Sequence, residues 1–187
     1  HGGGAIWSDG ILTINDGTFT GNISRAQHYW ASGKLPTGGG AIWAASSLTV
    51  NGGTFTGNWQ KDGNSTLYGT GGGAIYFGDG TKDTDANGTL AINGGTFTGN
   101  RSMQDGGAIF VTWNTTGHFR SGSFTDNWSN RLGGAVYTEE DSISYINNAA
   151  MFGNMAGHFG GGLWLCPSGQ GMTSEHGGMA LFGNIAD

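Results

Sequence analysis

One phrase recurs six times along the chain, and it decides what the chain can fold into. The copies are GGGAIW (2–7) with LTINDGTFTGN (12–22), GGGAIW (38–43) with LTVNGGTFTGN (48–58), and GGGAIY (71–76) with LAINGGTFTGN (90–100). GGAIF (106–110) with FRSGSFTDN (119–127), GGAVY (133–137) with YINNAAMFGN (145–154), and GGGLW (160–164) with GGMALFGN (177–184) follow. The column Ala5, Ala41, Ala74, Ala108, Ala135, Gly162 advances in steps of 36, 33, 34, 27 and 27 residues. Self-similarity at such a period marks a solenoid, in which each unit buries its apolar face only against its neighbours. Within a copy, LTIN and TFT alternate apolar and polar residues, the period of a strand. Helical spacing is absent, and the 40 glycines are hostile to helix interiors.

The reading is therefore an all-β solenoid of about six coils, each with three short strands. The coils start near residues 2, 38, 71, 105, 132 and 160 of one domain, 1–187. Alternation sends Leu12, Ile14 and Phe19 inward and Thr18 and Thr20 outward. The Asn column Asn22, Asn58, Asn100, Asn127, Asn154 and Asn184 falls at one corner of every coil. A side-chain amide both donates and accepts. Stacked at the strand spacing of ~4.8 Å, these residues are expected to form a hydrogen-bonded ladder. In GGAIW, Ile is read as inward. The aromatic column Trp7, Trp43, Tyr76, Phe110, Tyr137, Trp164 then forms an outward stack, either a flat platform for sugar rings or protein or a self-stacking ladder that shields backbone.

GGA[I/V/L] followed by FxxN (Phe19–Asn22, Phe55–Asn58, Phe97–Asn100, Phe124–Asn127) resembles the repeat pair of chlamydial polymorphic outer-membrane proteins and related autotransporter-type adhesin passengers. The last two coils depart from it with Met151–Asn154 and Leu181–Asn184. The resemblance implies a right-handed parallel β-helix at a bacterial cell surface, extracellular and usually adhesive.

Charge narrows the partners. A net charge of −6 argues against nucleic acid and anionic membranes. Nothing reads as a signal peptide or a transmembrane span, and no membrane insertion is expected. The single Cys166 excludes an intramolecular disulfide and suits a small apolar filler. Five of the seven basic residues, Arg25, Lys34, Lys61, Arg101 and Arg131, lie between a ladder Asn and the next glycine run. Only Asp62 and Asp105 accompany them there. With His28, Tyr29, Trp30, Trp59 and Tyr68 they define a basic, aromatic corner edge. The binding candidates are Arg25, His28, Tyr29, Trp30, Lys34, Trp59, Lys61 and Tyr68, facing a host or surface glycan, a protein, or the acidic face of a second copy. Longer insertions at 23–37, 59–70, 77–89 and 165–177 are places where function concentrates on a rigid solenoid.

Asp83, Asp85 and Asn87 spell the first half of a calcium loop, D-x-D-x-N-G, closed by Gly88. Gly94 replaces the acid expected at the twelfth position, and Asp79 is the substitute ligand. No cofactor is required on this reading, and calcium is the one candidate. The outward columns Thr18, Thr54, Thr96, Ser123 and Thr20, Thr56, Thr98, Thr125 resemble the T-x-T arrays of ice-binding solenoids, a minor alternative. A polysaccharide-active β-helix enzyme is the other alternative. It needs carboxylates clustered on one face. Glu139, Glu140 and Asp141 are adjacent in sequence and do not all share a face, and no catalytic residue is assigned. The expected function is thus non-catalytic, structural or adhesive. His1 stands in place of an initiator Met, so the chain is expected to be processed, trimmed or a fragment. Uncovered terminal rungs imply a longer solenoid or end-to-end stacking into filaments.

Overall fold

The structure is a computed structural model that describes residues 2–25, 37–61, 69–80, 88–172 and 178–187. Each coil contributes one strand to each of four six-stranded parallel sheets. Sheet 1 holds the GGAIW strands Ile6–Ser8, Ile42–Ala44, Ile75–Phe77, Ile109–Val111, Val136–Thr138 and Leu163–Leu165. Sheet 2 holds Ile11–Ile14, Ser47–Val50, Thr89–Ile92, Thr116–Phe119, Ile143–Ile146 and Gln170–Met172. Sheet 3 holds Thr18–Thr20, Thr54–Thr56, Thr96–Thr98, Gly122–Thr125, Ala149–Phe152 and Ala180–Phe182. Sheet 4 holds the two-residue strands Ile23–Ser24, Trp59–Gln60, Arg101–Ser102, Trp128–Ser129, Met155–Ala156 and Ile185–Ala186. The three strands expected per coil are thus joined by a fourth. Two residues are too few to show alternation, so this strand reads as part of the corner.

Register follows the repeat without slippage, with Ile6 on Ile42, Ile42 on Ile75, and Ile75 on Ile109. The inward columns close one core. Ile42, Leu48, Val50, Phe55, Ile75, Leu90, Ile92, Phe97, Ile109 and Phe124 are all fully buried in it. Phe19, Phe55, Phe97 and Phe124 stack at centroid separations of 4.7, 4.6 and 4.7 Å. Identical rings one above another satisfy the strand spacing with near-parallel offset contact. In the fifth coil the Leu column becomes Ser144, whose Oγ lies 2.6 Å from Thr138 Oγ1 inside the core.

The aromatic column departs from one of its two expected uses. Ile does face the central core, and the rings do stack on the far side of sheet 1. However, Trp43, Tyr76, Phe110 and Tyr137 are buried in a second core of their own, with Leu132, Trp164 and Cys166 against them. Centroids of 5.6, 6.0, 5.2 and 4.8 Å run from Trp7 to Tyr137. In those four coils the rings are a shielding ladder and not a platform; only Trp7, 50% exposed, still faces open solvent. The roof comes from the glycine runs. A Cβ on Gly38 would overlap the Tyr76 ring, and one on Gly71 would overlap the Phe110 ring and the Asp105 carbonyl. Tyr76 Oη also donates to the Gly69 carbonyl at 3.1 Å. The glycines of GGGAI[WY] are therefore needed for close approach between coils.

Candidate functional site

The Asn ladder builds the corner on which the candidate edge stands. Asn58 Nδ2 donates to Asn100 Oδ1 (2.9 Å) and to the Phe19 carbonyl (2.8 Å). The Asn58 amide donates to the same Asn100 Oδ1 at 3.0 Å. The pattern repeats from Asn100 to Asn127, Asn127 to Asn154, and Asn154 to Asn184. Each middle amide thus uses two donors and two acceptor sites while fully buried. A second, exposed ladder was not read from the sequence: Asn93 Nδ2 donates to Asn51 Oδ1 and Asn51 Nδ2 to Asn15 Oδ1, both at 2.8 Å.

Sheet 4 begins one residue past each ladder Asn. Its second residues point inward, and Ser24, Gln60, Ser102, Ser129 and Ala156 are buried. Its first residues form an outward column, Ile23, Trp59, Arg101, Trp128, Met155, Ile185, in register. Lys61 Nζ sits 4.6 Å from the Trp59 ring centroid, a cation–π contact on the same edge. So Trp59 and Lys61 of the expected edge do converge, and Arg25 lies exposed beside it. His28, Tyr29, Trp30, Lys34 and Tyr68 fall outside the described residues, as do Asp83, Asp85 and Asn87 of the calcium loop. Arg131 turns away from the outward column. Its Nη1 is 3.2 Å from Gln104 Oε1 and 3.7 Å from Asp105 Oδ2. Trp128 and Met155 complete the column and carry no signal beyond their place after the ladder Asn.

A groove of about 390 Å³ opens along this column, lined by Arg101, Asp126, Trp128, Gly153, Met155 and Ile185. That volume lies in the range of small-ligand sites.

A second convergence lies at the outer face of sheet 1. Glu139, Glu140 and Cys166 bring their ligand atoms within 4.8 Å of one another, the one such acidic or thiol trio among the described residues. Tyr137 Oη donates to Glu139 Oε1 at 3.0 Å. Burial raises the Glu139 carboxyl above the usual range and pushes the Cys166 thiol up to about 11. The thiol is therefore protonated near neutrality and poorly nucleophilic. Coil stacking makes this cluster, because Thr138 pairs with Leu165 one period away.

Three stretches, residues 16–45, 94–112 and 121–139, match the Chlamydia polymorphic membrane protein (Chlamydia_PMP) repeat. These three stretches are similar to Chlamydia polymorphic membrane protein repeats. Together the three stretches cover less than half of the chain. No curated protein and no solved structure matches it. Each match runs from an FxxN strand of sheet 3, through the ladder Asn and sheet 4, to the GGA[I/V] strand of sheet 1. In these three coils the match spans the half-coil with the ladder residues Asn22, Asn100 and Asn127 and the edge residues Arg25, Arg101 and Trp128; Trp59 and Lys61 lie outside the matched stretches. No helix among the described residues is long and apolar enough to cross a membrane.

Proposed function

We propose that the chain is a non-catalytic adhesive β-solenoid exposed at a bacterial cell surface, with the outer column of sheet 4 as its contact edge. The observation that carries this is the column Trp59, Arg101, Trp128, held in register with Lys61 over Trp59; Arg101 and Trp128 lie in stretches that match the membrane protein repeat. Aromatic and guanidinium groups on rigid backbone are the side chains that dominate binding energy at contact surfaces. The carboxylates that do come together, Glu139 and Glu140, do not favour the polysaccharide-cleaving alternative. Glu139 is buried and already accepts from Tyr137, so it has no open face toward a glycosidic bond. The test sets binding of the whole chain to a glycan array against product release from a polysaccharide panel. Binding without turnover supports the proposal, and turnover overturns it.

Self-association along the axis is part of the same reading. The ladder is directional: each coil donates toward the next Asn Oδ1. Among the described residues, Asn22 Oδ1 accepts no hydrogen bond, and Asn184 donates from Nδ2 only to the Met151 carbonyl. Any coil stacked beyond Asn184 continues the ladder if it offers an Asn Oδ1 at this corner. A second copy can provide it, a head-to-tail contact that leads to open filaments. Light scattering of the purified chain across concentration is expected to show growth along one axis; a monodisperse monomer at high concentration would exclude it.

A further inference from the structure

The residue before the ladder Asn is glycine in five coils and Asp126 in the fourth. Gly21, Gly57, Gly99, Gly153 and Gly183 adopt φ of 64°, 61°, 61°, 59° and 58°, and Asp126 shares the conformation at 55°. This left-handed region disfavours any side chain, and Asp and Asn tolerate it best. The fold thus accepts strain at the one coil where a carboxylate replaces glycine. Strained backbone of this kind concentrates at functional positions. The side chain is given room by the next coil: a Cβ on Gly153 would stand 2.6 Å from Asp126 Oδ1.

Asp126 and Arg101 both line the groove along sheet 4, with Trp128 and Met155 beside them. Among the described residues, no hydrogen bond or ion pair engages the Asp126 carboxylate or the Arg101 guanidinium. Two opposite charges that share a groove without pairing leave a space between them for a polar ligand. Their chemistry excludes most classes. An anion meets Asp126, a cation meets Arg101, and an apolar ligand strands both charges away from water. A neutral polyol suits all of them. The carboxylate accepts from hydroxyl groups, the guanidinium donates to ring or hydroxyl oxygens, and an indole face takes the C–H face of a sugar ring. Met155 and Ile185 add an apolar flank that fits the methyl of an acetamido group.

We propose that the groove between Asp126, Arg101 and Trp128 is a saccharide site for a neutral glycan unit, an N-acetylated hexosamine before a plain hexose. It rests on the adhesive reading of the same edge and specifies its ligand. Asp126→Gly is the decisive variant, because it restores the residue that the other five coils use. It removes the carboxylate and relieves strain together.

The experiment titrates the whole chain calorimetrically with an N-acetylglucosamine trisaccharide, with cellotriose, and with a sulfated heparin hexasaccharide, and measures its adhesion to a glycan-bearing cell layer in parallel. The N-acetylated trisaccharide is expected to bind tightest and the heparin fragment weakest. Asp126→Gly and Trp128→Ala are expected to weaken the trisaccharide by about tenfold or more. The melting temperature of Asp126→Gly should stay level or rise, which separates lost binding from lost folding. The proposal is overturned if neither neutral trisaccharide binds at millimolar concentration, or if Asp126→Gly binds as tightly as the parent chain. Tightest binding by the heparin fragment also overturns it. If the chain adheres and Asp126→Gly adheres equally without trisaccharide binding, the groove assignment fails while the adhesive reading stands. If the trisaccharide binds but nothing adheres, the groove stands and the adhesive reading fails.

Discussion

Asparagine suits the ladder corner because its amide is the shortest neutral side chain that offers two N–H donors together with a carbonyl acceptor. Asn100 shows the saturation: Nδ2 donates to Asn127 Oδ1 and to the Phe55 carbonyl, each at 2.9 Å. Its Oδ1 accepts from the Asn58 amide and Nδ2. Asn100→Ala leaves those groups buried and unsatisfied and should cost about 1–3 kcal/mol. The check is the urea midpoint, which Asn22→Ala at the first rung should move less. Equal effects from the two substitutions would count against a load shared along the ladder. A second residue sets the response to pH. Burial pushes the Asp105 carboxyl up to about 7 against the pull of Arg131, 3.7 Å away. The unfolded chain ionises near 3.8. Between those values the unfolded state gives up a proton that the folded state keeps, so stability falls as pH rises through about 4 to 7 and levels off above. The loss is at most about 4 kcal/mol. Glu139, raised by burial, acts in the same direction. Melting temperatures should rise from pH 7.5 to 5.5, and Asp105→Asn should flatten that slope; an unchanged slope would remove Asp105 from the explanation.

At the scale of the elements, the glycine run joins sheet 4 to sheet 1 at van der Waals limits. A Cβ on Gly73 would overlap the Gly107 carbonyl and approach Arg101 N to 2.5 Å. Both neighbours are backbone and cannot rotate away, so Gly73→Ala is expected to destabilise by about 3 kcal/mol or more. Gly99→Ala has open space around its Cβ and meets only the cost of positive φ, about 1–2 kcal/mol. Thermal denaturation of the pair distinguishes them, and a milder Gly73→Ala would argue against close packing at this corner. These elements also show what the sequence could reveal. Phe19, Leu12 and Ile14 were legible as inward because alternation within a strand is local information. The Asn ladder was legible because a fixed period brings identical amides together. The burial of Trp43, Tyr76 and Phe110 was not, because their roof is glycine backbone from neighbouring coils, which has no hydropathy signature. Sheet 4 was hidden by its two-residue strands. The meeting of Glu139 with Cys166 depends on two loops of unrelated composition stacking one period apart.

At the scale of the molecule, the solenoid separates support from contact. Two buried ladders hold the coils in register, the phenylalanines of sheet 3 inside the central core and the aromatics on the far side of sheet 1. The outward face of sheet 4 is left to carry Trp59, Arg101, Trp128 and Lys61. Substitutions there should spare folding, since surface changes away from packed features move stability by only about 0.5 kcal/mol. The most direct measurement compares the parent chain with a Trp59→Ala, Arg101→Ala, Trp128→Ala variant in adhesion to glycan-bearing surfaces. Urea midpoints are taken for both, and polysaccharide turnover is assayed in the same samples. Adhesion lost in a variant that keeps its urea midpoint, with no product released by either protein, is the predicted result. Adhesion that survives the three substitutions, or polysaccharide cleavage by the parent chain, would contradict it.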